Sequence, residues 1–361
     1  MKDRHYKGSR KNLSKSPNLE EFRPPLPKDI EEEVLTFYGN PQPEGGRKDP
    51  WKDWSISIKG DKLREISPSL FFHKYMLYPE KENKGRFLKA FCEAYKLPVE
   101  IIDAARSRLQ GIIESLKKQG YEISSTEKVE VIWRMIVGLG SASPLETNIT
   151  LDRIYGYPYI PSSAIKGTTR AYAFQKIAGA IGLRPLSLKE RKEKSKRKER
   201  TPFEKLDAFL EESDEKKQRE LWKSLSEDTF VKEWKIDLSK LDEKEIENFR
   251  MVFGTTGSIG KVIFFDASPE CPPVLELDIM TPHHLEYYKG DRKSPDGGEN
   301  PKPIPFLAVG KGSKFNFYIA SKDKKLLLWA ESCLREALED LGIGAKTRVG
   351  YGEMKATVSE L

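Results

Sequence analysis

The stretch that most constrains this chain is Leu341-Gly342-Ile343-Gly344-Ala345-Lys346-Thr347-Arg348-Val349-Gly350-Tyr351-Gly352-Glu353. It follows a helical stripe of Leu327, Ala330, Leu334, Ala337, Leu338 and Leu341, and it precedes a last strand over residues 351–358. A helix stop at Gly342 and a tight turn account for about two of its glycines, not for all of Gly342, Gly344, Gly350 and Gly352. Glycines here let backbone amides come close to a ligand, and Lys346 and Arg348 add positive charge, so a polyanion is the natural occupant. The run Gly344-Ala345-Lys346-Thr347 is not a nucleotide-binding P-loop. That motif needs Gly directly before the Lys and leads from a strand into a helix, whereas here the order is helix, loop, strand.

Working back from the loop, residues 129–137 read as a half-buried strand. Val129, Val131, Trp133, Met135 and Val137 share one face, with Glu130 and Arg134 on the other. Next comes Pro158-Tyr159-Ile160-Pro161-Ser162-Ser163-Ala164-Ile165-Lys166-Gly167, in which Ser162 or Ser163 caps a helix whose first amides offer an anion site. Lys166 and Arg170 project from its start. Two readings stand level there, an RNA phosphate clamp and an ordinary capped helix with exposed charges. Residues 185–250 read as an insertion, beginning with a Lys/Arg-rich run at 189–200 expected to be a solvated, mobile loop and continuing in amphipathic helical pieces. Residues 261–267, apolar on both faces, suggest a central strand, and 274–281 alternate cleanly. Residues 304–309 and 315–320 flank Gly310-Lys311-Gly312-Ser313 as a hairpin.

The order strand, helix, two strands, helix, strand, with an added hairpin, matches the split βαβ, ferredoxin-like pattern. The expected class is α+β, a ferredoxin-like (RRM-like, βαββαβ) domain over 126–361. Residues 51–125 form a helical N-terminal subdomain, and residues 1–50 a basic, Pro-rich flexible arm. His73 falls in a helical stretch with no neighbouring ligand residue and reads as structural.

Composition narrows the function. Among 361 residues the net charge is +7, a moderate basic excess that suits nucleic acid. The three cysteines, Cys92, Cys271 and Cys333, are far apart and odd in number, against a disulfide framework or a zinc site and for a reducing cytoplasm. No stretch approaches the ~20 apolar residues of a bilayer span. No cofactor or metal is expected.

The Pro158 to Gly167 motif and the terminal glycine loop together resemble the RAMP superfamily of CRISPR-associated proteins. Met280-Thr281-Pro282-His283-His284, Pro303-Ile304-Pro305-Phe306-Leu307 and the Leu341 to Lys346 junction narrow the resemblance to the sixth-subunit family of the Cmr, type III-B, effector complex. It covers about residues 65–361. The resemblance implies a non-catalytic RNA-binding subunit that caps the complex and holds the 3′ part of the guide RNA. Its neighbours would be the backbone RAMP subunit and the first Cmr subunit, with target RNA as a further candidate partner. The expected RNA-facing residues are Lys166, Arg170, Lys346, Arg348, Tyr351 (as a stacking ring), Arg134, His283 and His284. The alternative is a metal-independent endoribonuclease that processes guide RNA with His283 and His284. Adjacent side chains on extended chain would point to opposite faces, so at most one could serve. Glu276 and Asp278 share a strand face and read as solvated.

Overall fold

The computed structural model describes residues 35–38, 55–60, 63, 66–74, 84–143, 145–197, 199–284, 287, 289–290, 294 and 303–356. The expected arm at 1–50 lies almost wholly outside them. In chain order the elements begin with β1 (Leu35–Tyr38) and β2 (Ser55–Ile58), then α1 (Pro68–Lys74), α2 (Lys84–Ala94), α3 (Val99–Lys118), β3 (Glu122–Val131) and α4 (Ser162–Ala180). The inserted segment carries α5 (Leu188–Arg197), α6 (Pro202–Glu211), α7 (Glu215–Ser226), α8 (Thr229–Glu233) and α9 (Glu243–Phe253). Short strands β4 (Gly254–Thr255), β5 (Ser258–Ile259), β6 (Val262–Phe264) and β7 (Ser268–Pro269) follow. After them come β8 (Leu275–Met280), β9 (Ile304–Val309), β10 (Lys314–Ser321), α10 (Lys324–Asp340) and β11 (Met354–Lys355).

The main sheet runs β11-β3-β10-β6, all antiparallel, with β7 also pairing β10. At its centre, β10 buries seven of its eight residues, so both of its faces are covered. Helices α4 and α10 pack on each other, and α10 also packs on β3 and β10. Leu327, Ala330, Leu334 and Leu338 meet Ile165, Ala173 and Ile177 in one apolar cluster with Val129, Phe315, Phe317 and Ile319. Each large side chain buried there contributes about 1.5–3 kcal/mol. The same cluster continues into Phe71, Phe87 and Phe91 of α1 and α2, so the N-terminal helices share the core of the sheet domain.

Local chemistry sets the helix ends. Asp323 accepts from the amides of Lys325 and Leu326 at the start of α10. A capping box between Thr201 and Glu204, with Pro202 behind the cap, starts α6. Helix α4 begins differently: neither Ser162 nor Ser163 caps it. Pro161 is the N-cap, without a side-chain cap bond, and the Asp266 carboxylate accepts from the Ser162 amide at 2.6 Å.

Several expectations are corrected. The strand expected over 129–137 starts earlier and stops at Val131. Beyond a bend at Ile132 and Trp133 the chain leaves the main sheet, and Met135 bridges Val309 instead. The bend turns Trp133 outward to 42% exposure. The hairpin expected between 304–309 and 315–320 does not form, because β9 pairs with β8 while β10 pairs with β3. The Gly310 amide accordingly bonds to Val274 O, and that of Gly312 to Val131 O. The β8–β9 pair is therefore the added hairpin. The stretch expected as a central strand, 261–267, supplies only the three-residue β6 at the end of the strand order, and its Ile263 is exposed. The charge run at 189–200 is largely helix α5 rather than a loop, because Lys194 is buried in an ion cluster.

Candidate nucleic-acid interface

The loop after α10 folds back on the chain's own carbonyls. Ile343 donates to Gly352 O, Ala345 to Ile136 O and Gly352 to Arg134 O, at 2.8, 2.7 and 2.6 Å. All four loop glycines have positive φ. Three of them also have no room for a side chain: a Cβ on Gly342 would collide with Gly352 O, one on Gly344 with Ile136 O, and one on Gly352 with Ile343 O. Lys346 takes the left-handed conformation at φ 61 and starts a short turn, Thr347–Val349. The loop is thereby a rigid shelf laid over the 132–137 segment, with Lys346, Arg348 and Val349 at its outer rim.

The cations divide into two groups. Among the described residues Arg348, exposed, and Lys166 on α4, half-buried, make no hydrogen bond or ion pair. Lys346 has no carboxylate partner among the described residues, its ammonium lying 5.8 Å from the Phe306 ring centre and 5.9 Å from that of Tyr351. Arg134 and Arg170 are engaged. Arg134 bonds Glu276 at 2.6 Å and Asp278 at 2.8 Å. Arg170 bonds Asp207 and Glu211, both at 2.7 Å, and its guanidinium lies 5.1 Å from the Phe249 ring centre. Glu276 and Asp278, expected as solvated acids, are thus structural partners of Arg134.

Tyr351 is 6% exposed and offers no face for stacking. Its ring lies against Trp133 (centroids 4.8 Å apart) and Phe306 (6.0 Å), and its hydroxyl donates to Asp278 at 2.5 Å. Burial and the Asp278 charge push the Tyr351 phenol up to about 12, so it stays a donor. For Asp278, burial pushes the carboxyl up. The bonds from Tyr351, the Ile279 amide and Arg134 outweigh it and hold the group below the usual carboxylate range. The exposed aromatic of the site is Trp133, which sequence periodicity placed in the core. No local signal in the sequence could have found it, because the alternation of residues 129–137 runs through the bend without a break.

His283 and His284 follow β8 with ring centres 6.4 Å apart. The expectation of extended chain fails at this point, because His284 has φ 59 and the two rings do not simply alternate across a strand. His283 is exposed. His73 bonds Ser69 O through Nδ1 and Asn148 Oδ1 through Nε2, a structural role. Among the described residues no group of three or more His, Cys, Asp or Glu is placed to hold a metal ion, and no helix is long and apolar enough to cross a membrane.

The glycine loop and the start of α4 stand at the same end of the sheet. β3 ends there, pairing Val131 with Met354, and α4 begins there beside Ala267, which pairs with Ile160.

Comparison with known proteins places these features in a wider group. The sequence pattern of the RAMP superfamily matches residues 128–355. The CRISPR system Cmr subunit Cmr6 of Pyrococcus furiosus is 30% identical over 349 residues, spanning 83% of this chain and 97% of that protein. The crystal structure of Cmr6 from Pyrococcus furiosus is 34% identical, covering 66% of this chain and 99% of that one, with a TM-score of 0.40. A chain of the cryo-EM structure of the Type III-B Cmr-beta bound to cognate target RNA is 21% identical. It covers 76% of this chain and 71% of that one, with a TM-score of 0.49.

Proposed function

The chain belongs to the RAMP superfamily, and from that premise we propose that it is a non-catalytic RNA-binding subunit of a type III-B, Cmr-type effector complex. In this reading it caps the assembly, holds the 3′ part of the guide RNA, and docks on the backbone RAMP subunit and the first Cmr subunit. The likeness to Cmr6 over most of both chains supports the assignment. The strand order β11-β3-β10-β6 supports reading residues 126–361 as a ferredoxin-like domain, with 51–125 as its helical extension.

The observation that carries RNA binding is the pair of cations on the glycine loop. Among the described residues Lys346, partly exposed, and Arg348, exposed, have no acidic partner, while Arg134 and Arg170 are held by carboxylates. Unpaired cations on a rigid shelf suit phosphate, which fixes RNA in place without reading its sequence. Lys166 adds a third cation at the same end of the sheet. Trp133, at the loop's edge, takes the stacking role that buried Tyr351 cannot fill. Arg134 and Tyr351 act indirectly, by fixing the loop.

The ribonuclease alternative finds less support. His283 is exposed and the chain turns at His284, so no observation sets the two rings on either side of one scissile phosphate. Both readings meet one experiment: purified full-length protein, EDTA and a labelled single-stranded RNA. The proposal expects salt-sensitive binding and intact RNA. Cleavage that is lost in a His283→Ala/His284→Ala double variant would establish the ribonuclease instead.

A further inference from the structure

A second site, sharing no residue with the glycine loop, lies where α3 faces the turn before α4. A cavity of about 400 Å³ is lined by Arg108, Leu109, Arg153, Tyr155, Tyr157 and Tyr159, with Phe265 and Asp266 among the remaining walls. Its aromatic wall is held from outside. Tyr95, just past the end of α2, donates to Gly156 O at 3.0 Å, and Ser67, just before α1, to Arg153 O at 3.2 Å. Gly156, at φ 75, packs so closely on Pro68 that no side chain would fit. The N-terminal helices therefore set the turn that presents the three tyrosines.

Three observations mark this cavity as a binding site. Tyr157 is 9% exposed, yet its hydroxyl makes no hydrogen bond with any described residue. A hydroxyl at a cavity wall without a protein partner is left to whatever fills the cavity. Next, Arg108 and Arg153 are exposed at the rim and neither side chain forms an ion pair or hydrogen bond among the described residues. Lastly, the two acids of the lining are already engaged by the backbone. Asp152 accepts from the amides of Ile154 and Tyr155, and Asp266 from that of Ser162. The rings of Tyr155 and Tyr157 lie nearly parallel, 5° apart with centroids at 6.1 Å, and Tyr157 and Tyr159 alternate onto one side of the chain.

We propose that this cleft is a second RNA site that takes one nucleotide of a single strand, its base against the tyrosines and its phosphate between Arg108 and Arg153. The volume suits a single small group rather than a helix. Aromatic faces combined with unpaired arginines are the chemistry by which proteins hold single strands. The Tyr157 hydroxyl supplies a donor and acceptor for the base edge or the ribose 2′-hydroxyl. An acidic protein segment is the competing occupant, but it would leave the tyrosine faces without a stacking partner. The inference rests on the RNA-binding reading above and adds a site that the glycine loop does not include.

The test uses the full-length protein and a labelled single-stranded RNA containing 4-thiouridine. Affinity is measured by fluorescence anisotropy, and crosslinked peptides are mapped by mass spectrometry. The expected result is a crosslink within residues 155–159, affinity about tenfold weaker in an Arg108→Glu/Arg153→Glu variant, and about threefold weaker in Tyr157→Phe. Tyr157→Phe removes only a hydroxyl, so it keeps the test decisive should the double variant fold poorly. Crosslinks confined to the glycine loop, with both variants binding as wild type does, would overturn the cleft and leave the RNA-binding reading standing. Wild-type protein that binds no RNA overturns both. If the arginine variant binds RNA normally but no longer co-purifies with partner subunits, the occupant is a protein segment and the proposal is wrong.

Discussion

At the scale of single residues, the site is organised by Asp278. Its carboxylate receives the Tyr351 hydroxyl and the Arg134 guanidinium, and so ties the β8–β9 hairpin to the shelf that carries Lys346 and Arg348. Because its folded pKa is lowered, its stabilisation is fully present above the unfolded value of about 4 and is lost as pH falls through the folded one. Asp278→Asn should therefore cost about 1–3 kcal/mol at pH 7, with the gap to wild type closing below about pH 4. Urea unfolding between pH 3 and 7 measures this, and a gap that does not change with pH would refute the charge network. The loop cations Lys346 and Arg348 were legible in the sequence, since glycines and lysine or arginine side by side state their own chemistry. The roles of Arg134 and Tyr351 were not, because their partner Asp278 lies 144 and 73 positions away.

At the scale of elements, helices were read more accurately than strand pairing. The stripe from Leu327 to Leu341 and the helices of residues 67–118 follow from a period that each segment carries within itself. Pairing is a long-range choice, so the short Gly310 to Ser313 turn suggested a hairpin although β9 and β10 belong to different sheets. The inserted segment shows a similar limit. Its charge run suggests solvated chain, but Lys194 is 3% exposed and bonds Asp228 and Glu199, both at 2.9 Å, while Lys205 bonds Asp228 at 2.6 Å. Asp228 also accepts from the Phe230 amide to start α8. One carboxylate thus joins α5, α6 and α8. Asp228→Ala should destabilise the protein by about 1–3 kcal/mol, since it removes the carboxylate that both lysines share and, among the described residues, leaves Lys194 only Glu199 and Lys205 only the Ser224 carbonyl. A loss under 1 kcal/mol in thermal or urea unfolding would show that the cluster does not hold these helices together.

At the scale of the whole molecule, the N-terminal helices, the sheet domain and the basic loop form one arrangement directed at one end of the sheet. Helices α1 and α2 clamp the tyrosine turn, α4 and α10 cover the sheet, and the glycine loop extends from the end of α10. The class of fold was legible because the order of helices and strands survives errors in individual pairings. Tertiary position, which puts Trp133 outside and Tyr351 inside, required the bend at Ile132 that no local pattern announces. The central claim is that Lys346 and Arg348 bind RNA phosphate. Its most direct test is the salt dependence of single-stranded RNA affinity in wild type and in a Lys346→Ala/Arg348→Ala variant. The account predicts weaker binding and a slope of log affinity against log salt that is shallower by about 1.4, two phosphate contacts on a single strand. Equal affinities and equal slopes would contradict it.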